Sequence, residues 1–294
     1  MANTSISLSS PVSEKVICSR WRHWWRLSNA LALDAALIGV CWQALVAKSL
    51  EVELGISHGF LLGAAIWLGY VADRLLDGVL MGSRACTQRH LLAVRYRTSF
   101  LFAWMLVFIA SLFFAFETLS SEEISVGLFL AGLCVANAFL AQLDKTARFP
   151  LPKELRTALL YSVGIFFFVF CNLQEALFSF WVIFATVTTI CFLNCCFIAH
   201  WEREVDLRQG QSSLALRLDC DSGYLCVGAF TFFWFCLLAF FLFPERNLSP
   251  LFLVAGCATS FLPWLDSLPI EIEDKRILAD WGLLVPCSVV LALM

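Results

Sequence analysis

Charged residues are scarce in this chain: they make up 15% of its 294 residues, against 60% hydrophobic residues. A water-soluble domain carries about 25% charged residues, so the low charge argues against a soluble globular protein. The formal net charge of −3 also lacks the basic excess that is typical of nucleic-acid binding. Together with a mean hydropathy of +0.80, the composition predicts an all-α protein with many membrane-spanning helices.

Two further signals are missing. The first 20 residues lack the apolar core of a signal peptide, so we expect no cleaved leader. The 13 cysteines show no CxxC or Cys/His spacing, which argues against a zinc site or a redox pair and favours packing roles. What residues 1–27 do contain is tryptophan beside arginine, a combination typical of an interfacial anchor, and we expect this segment to be cytoplasmic.

Nine apolar stretches are long enough for a helix that crosses a bilayer, which takes about 20 residues. They cover residues 29–48, 58–80, 98–117, 123–142, 156–172, 176–200, 223–243, 249–265 and 278–294. Residues 28–294 are therefore predicted to form a single domain, a polytopic bundle of nine transmembrane helices.

The basic residues are distributed unevenly along this topology. The N-terminal segment and the even-numbered loops contain 18 of the 20 lysines and arginines. Cytoplasmic loops carry such an excess, so we expect a cytoplasmic N-terminus and an outside C-terminus. The expected location is a bacterial plasma membrane.

Acidic residues interrupt the apolar pattern at two places. Asp73 and Asp77 lie near the end of the second stretch, and Glu202 and Asp206 follow the sixth. Residues four apart share one face of a helix, so each pair presents two carboxylates together. Acids within membrane spans are costly and usually face a cavity. Gly210 is expected to end the helix after the second pair.

Both acidic stretches resemble a known family. "YVADRLLDG" resembles the first motif of the UbiA-type intramembrane prenyltransferases, N-D-x-x-D-R-x-x-D-G, and "EREVDLRQGQS" resembles their second, D-R-x-x-D-x-x-x-G-x-x-S. The matching residues are Asp73, Arg74, Asp77, Gly78, Glu202, Arg203, Asp206, Gly210 and Ser213. Gly69 and Tyr70 stand where the family has Asn-Asp, so one carboxylate of the first motif is absent.

The resemblance implies a membrane-embedded transferase that moves an isoprenyl group from an allylic diphosphate to a lipophilic or aromatic acceptor. It also implies Mg2+ as cofactor, since magnesium prefers oxygen ligands and neutralises a diphosphate leaving group. Asp73, Asp77, Glu202 and Asp206 would be both the catalytic and the metal-binding residues. The expected partners are the isoprenyl diphosphate, the acceptor and the lipid bilayer.

Basic residues would complete the diphosphate site. The family uses basic residues in the loop between spans four and five, where this chain has Lys145, Arg148, Lys153 and Arg156. Lys145, Arg148, Lys153 and Arg203 are the predicted diphosphate-binding residues. Two alternatives stay open: the loop charge reflects topology alone, or Arg74 and Arg203 pair with the neighbouring acids.

Further polar residues occur within the apolar stretches. Tyr70, Asn194 and His200 are predicted to line the cavity, and Tyr70 lies one turn before Asp73 on the same face. Asp34 is a lone acid in the first stretch, and we expect it to pack against a polar neighbour.

Two other functions are compatible with this pattern. The chain is alternatively a non-catalytic relative that binds an isoprenoid lipid or a partner. A third reading is an ion-coupled transporter whose intramembrane acids carry protons or cations. It is disfavoured because we find no internal repeat or broken helix pair and because the acids lie at one membrane face.

Overall fold

The computed structural model describes residues 24–81, 88–143, 151–174, 178–218, 221–243 and 247–294. Within these ranges the chain forms helices and no strands, which confirms the all-α class. Most of the predicted N-terminal segment, residues 1–23, lies outside the described residues.

Long apolar helices alternate with a few short ones. In chain order they are α1 (Trp24–Ala30), α2 (Leu33–Ser49), α3 (Ile56–Met81), α4 (Gln88–Arg95), α5 (Arg97–Thr118), α6 (Ser121–Leu143), α7 (Lys153–Asn172), α8 (Phe178–Trp201), α9 (Arg203–Gln209), α10 (Leu214–Leu218), α11 (Ser222–Leu242), α12 (Ser249–Ser267) and α13 (Ile272–Leu293).

Seven of these helices are long and apolar enough to cross a membrane, namely α3, α5, α6, α7, α8, α11 and α13. A multi-pass membrane protein is therefore supported, whereas the count of nine spans stays a prediction. α2 has only 17 residues and includes Asp34 and Lys48. α12 includes Pro263 and Asp266, which lower its hydropathy.

α8 lies at the centre of the bundle. It packs against α7, α11, α12 and α13, and 61% of its apolar stretch is buried, compared with 6% for α5 and none for α6. Ile183, Val187 and Ile190 of α8 meet Trp42 and Leu45 of α2 in the main hydrophobic cluster. The apolar faces of α5 and α6 instead point outward, as expected for helices in contact with lipid.

The predicted first span is broken near its start. α1 ends at Ala30 and α2 begins at Leu33, and between them the buried Ala32 adopts a left-handed backbone with φ 59°. The Ala32 amide donates to the Asn29 carbonyl at 3.0 Å. Across this turn, Asn29 of α1 and Asp34 of α2 are in contact.

Candidate functional site

The helix that carries the first motif, α3, is antiparallel to α2. Near the start of α3, Gly59 lies beside Val40 and Gln43, in the middle of α2. Near its end, Arg74 Nη1 donates to the Ala30 carbonyl at 2.5 Å, just ahead of α2. The first motif therefore lies beside the beginning of α2.

The second motif is located in the same way. Asn194 of α8 donates to Asp280 at 3.3 Å, and Glu202, after α8, accepts from Arg276 at 3.0 Å. α8 is thus antiparallel to α13, and Arg276 in turn donates to Asn29. Since Asn29 and Ala30 are neighbours, both motifs lie at one end of the bundle, which we call the motif end.

Within the first motif, the arginine is buried and the acids are more accessible. Arg74 is 7% exposed, whereas Asp73 is exposed and Asp77 is partly buried. Arg74 therefore ties α3 to the α1–α2 turn, and Asp73 is exposed beside it.

Tyr70 points from α3 toward the interior helices. It lies within electrostatic range of Cys195 on α8, of Asp280 on α13 and of Asp34 on α2. Tyr70 is nevertheless 37% exposed as a residue. Asp77 follows Tyr70 by seven residues on the same face of α3.

Within the second motif, both acids are buried and have basic partners. Glu202 is 7% exposed and Asp206 is 5% exposed. Glu202 is ion-paired with Arg276 at 3.0 Å, and Asp206 Oδ2 lies 3.7 Å from Lys153 Nζ. The acids of the second motif thus form buried ion pairs just after the C-terminal end of α8.

The helix that carries the second motif ends where the sequence predicted. Gly210 has φ 68°, the left-handed conformation that favours glycine at a helix end, and α9 ends there. The Gln211 amide donates back to the Asp206 carbonyl at 2.9 Å. The helix stop at Gly210 is therefore confirmed.

The predicted diphosphate-binding residues lie in different places. Lys153 contacts the second motif through Asp206 and, at 3.5 Å, through Gln211. Arg203 is exposed on α9. Lys145 and Arg148 lie outside the described residues. The structure thus brings one lysine of this loop to the motif acids.

A polar network that extends beyond the two motifs crosses the interior at the motif end. Asn29 Nδ2 donates to Asp34 Oδ2 at 2.5 Å and to Asp280 Oδ2 at 3.2 Å. The expectation that Asp34 packs against a polar neighbour is confirmed. Asn194 joins this network through Asp280 Oδ1, whereas no hydrogen bond within the described ranges links His200 to it.

The sequence reading missed three members of this network, Asn29, Arg276 and Asp280. Asp280 had a usable signal, since it is an acid inside a predicted span. Arg276 lies four residues before it and thus on the same helix face. Asn29 carries no signal of its own, because its position depends on the turn at Ala32.

Charged contacts also fix α1 against the start of α13. Arg26 donates to Asp274 Oδ2 at 2.5 Å and to Glu271 at 3.2 Å. Partial burial lowers the pKa of Arg26, but hydrogen bonding to Asp274 and the charges of Asp274 and Glu271 outweigh it, so the pKa is raised. α1 is therefore held in place by a cation that stays charged.

A magnesium ion would need several oxygen ligands close together. Within the described parts of the chain, no three side chains of His, Cys, Asp or Glu lie close enough to hold a metal ion. Glu202 and Asp206 are instead next to Arg276 and Lys153. These described side chains therefore form no preassembled metal site, and Mg2+ stays a prediction from the resemblance.

No family model, no curated protein and no solved structure matches this chain. Membership of the prenyltransferase family therefore stays a prediction from the two motifs.

Proposed function

We propose that this protein is a membrane-embedded transferase that moves an isoprenyl group from an allylic diphosphate to a lipophilic or aromatic acceptor. The arrangement of α3 and α8 carries the proposal. Arg74 of the first motif donates to the Ala30 carbonyl, and Glu202 of the second motif is linked through Arg276 to Asn29. The two parallel helices thus carry both motifs to neighbouring residues at the motif end.

Basic side chains at the motif end and apolar helix faces next to it would suit a diphosphate with an apolar tail. Lys153, Arg74 and Arg276 supply positive charge at the motif end, and positive charge stabilises the negative charge that develops on a leaving diphosphate. In the proposed reaction the allylic carbon–oxygen bond breaks with its electrons on the diphosphate. The carbon then bonds to the acceptor, and the acceptor releases a proton. The apolar helix faces would keep water from the carbocation.

Release of diphosphate tests this proposal. The purified full chain in lipid nanodiscs is supplied with farnesyl or geranylgeranyl diphosphate and a membrane lipid extract, with and without magnesium. We expect diphosphate release, and we expect Asp73→Asn and Glu202→Gln each to lower it by about 100-fold or more. Glu204→Gln is the matched control, because Glu204 is exposed and its ion pair with Arg208, at 3.8 Å, lies on the surface of α9. Release that is equal in wild type and both motif variants would contradict the proposal.

One observation favours a second candidate, a non-catalytic relative that binds an isoprenoid lipid. Tyr70 stands in place of an acid, and the second-motif acids already have basic partners. Such a protein would bind a radiolabelled isoprenyl diphosphate or alcohol and release no diphosphate with any acceptor. The same nanodisc preparation separates the two candidates.

A further inference from the structure

The connection between α4 and α5 carries positive charge on the surface of the protein. Residues 94–99 are all exposed, and they include Arg95 and Arg97. None of them belongs to the two acidic motifs. We call residues 94–99 the basic corner.

The basic corner is attached to the motif end of the bundle. α4 packs against α1, α3 and α5, and Val94 lies against Gly78 of the first motif, where an added Cβ would be 3.1 Å from Val94 Cγ2. Just after the corner, Phe100 is buried in a cluster with Ala32 and Val71. The bundle therefore holds the corner in place on both sides while its arginines are exposed.

The basic corner also lies at the end of a candidate membrane span. This span, α5, begins at Arg97, and the ends of a span lie at the level of the lipid headgroups. Tyr96 comes directly before it, and tyrosine is enriched at the boundary between membrane and water. We therefore expect the two arginines to lie at the level of the lipid phosphates.

The charge of the two arginines is not used in ion pairs within the described chain. Arg95 lies over the ring of Tyr96, with Cζ 5.8 Å from the ring centroid, and neither arginine has a described Asp or Glu in ion-pair distance. Arg26 and Arg276, in contrast, are paired with acids. Guanidinium groups bind phosphate through two parallel N–H bonds. The corner is thus complementary in charge to a phosphate group.

An exposed apolar surface continues from the corner along α5. Leu101 and Met105 follow Arg97 at four-residue intervals, so the three residues lie on one side of the helix. Both apolar residues are exposed. A phospholipid has the same order of groups, since its phosphate lies at the membrane surface and its acyl chains extend toward the membrane centre. A free phosphate ion would contact the arginines alone, so this order favours a lipid.

We propose that the basic corner binds the headgroup of an anionic phospholipid, with the phosphate at Arg95 and Arg97 and an acyl chain along Leu101 and Met105. Such binding goes beyond the proposed transferase activity and does not depend on it. Because α4 packs against α3, the bound lipid would also hold α4 beside the first motif.

Lipid titration of the purified full chain in detergent tests the proposal. Phosphatidylglycerol and phosphatidylcholine with identical acyl chains are added separately, and native mass spectrometry measures the bound lipid. We expect phosphatidylglycerol to bind more tightly. Arg95→Gln and Arg97→Gln should each weaken its binding by about fivefold, the contribution of one basic residue at an anionic lipid surface. The double variant should bind both lipids equally.

Two controls separate the corner from a general effect of charge. Lys48→Gln/Arg208→Gln removes two exposed positive charges elsewhere in the protein and should keep the preference for phosphatidylglycerol. Raising the salt concentration needs no variant and should weaken the preference, because salt screens exposed charges.

Four results would overturn the proposal. The first is equal binding of the two lipids by the wild-type protein. The second is a preference for phosphatidylglycerol that survives in Arg95→Gln/Arg97→Gln. The third is an equal loss of preference in Lys48→Gln/Arg208→Gln, which would show that net charge alone matters. The fourth is displacement of phosphatidylglycerol by inorganic phosphate at equal concentration, which would indicate a site for free phosphate.

Discussion

The two acidic motifs lie at the same end of the bundle, yet their surroundings are opposite. In the first, the arginine is buried against a backbone carbonyl and Asp73 is exposed. In the second, the arginine is exposed and the acids Glu202 and Asp206 are buried beside basic side chains.

This difference indicates two roles for similar sequences. The buried Glu202–Arg276 pair joins the end of α8 to α13 and, through Asn29, to α1, so the second motif is part of the packing between helices. In the first motif, Asp73 is exposed and the buried side chain is Arg74. We therefore expect substitutions in the second motif to lower stability, and substitutions in the first motif to lower activity with little change in stability.

The largest effect is expected at Arg276. Arg276→Met leaves Glu202 buried without its partner, and breaking a buried ion pair costs about 3–5 kcal/mol of unfolding free energy. Titration with a denaturing detergent measures the change. Arg208→Met is the matched control, because the Arg208–Glu204 pair is exposed and spans 3.8 Å, and such pairs contribute at most about 1 kcal/mol.

The double variant Glu202→Gln/Arg276→Met sharpens this test. It removes both charges, so it should recover part of the stability lost in Arg276→Met. A double variant less stable than Arg276→Met would show that the pair is not the source of the loss.

A smaller effect on stability, with a large effect on activity, is expected at the first motif. Asp73→Asn should lower diphosphate release by about 100-fold to 1,000-fold, as for other groups that stabilise transition-state charge. Its unfolding free energy should change by less than about 1 kcal/mol, because Asp73 is exposed. Glu202→Gln should lose both activity and stability. Equal losses of stability in the two variants would remove the distinction between the motifs.

A third effect concerns magnesium, which the family resemblance implies. Because one acid of the first motif is missing, we expect weak binding of the ion to the empty protein and roughly tenfold tighter binding with an isoprenyl diphosphate present. Tyr70→Asp should strengthen binding of the bare ion, and Asp77→Ala should abolish the dependence on diphosphate. Calorimetry measures all four states. Equal affinities with and without diphosphate, unchanged in Asp77→Ala, would favour the non-catalytic candidate.

The smallest effect is expected at Lys153. Its Nζ lies 3.7 Å from Asp206, and the lysine side chain is 30% exposed, so solvent screens much of the interaction. Lys153→Met should lower the unfolding free energy by about 1 kcal/mol or less. If Lys153 also binds diphosphate, the same variant weakens isoprenyl diphosphate binding, which Lys153→Arg should preserve. A loss of stability as large as that of Arg276→Met would show that both acids of the second motif are equally structural.

Helix positions were largely predictable, and the beginning of α13 is an exception with a physical cause. The predicted stretch 98–117 agrees with α5, and 123–142 agrees with α6, since the charged residues of these helices lie only at their ends. The stretch predicted from 278 instead begins at Ile272 in α13. Its first turns contain Arg276, which is polar and yet faces the interior. Hydropathy therefore predicts the bounds of lipid-facing helices well, but it misses helix turns whose polar side chains face a polar interior.

By itself, the sequence determined that this is a helical protein with several membrane-spanning segments, and that its acids come in pairs one helical turn apart. Only the tertiary structure decided which partner each acid has. Glu202 meets Arg276, which is 74 residues away, and Arg276 meets Asn29 at a separation of 247. The physical reason is that helical periodicity specifies which face of a helix a side chain occupies, whereas the helix opposite that face follows from the packing of the whole bundle.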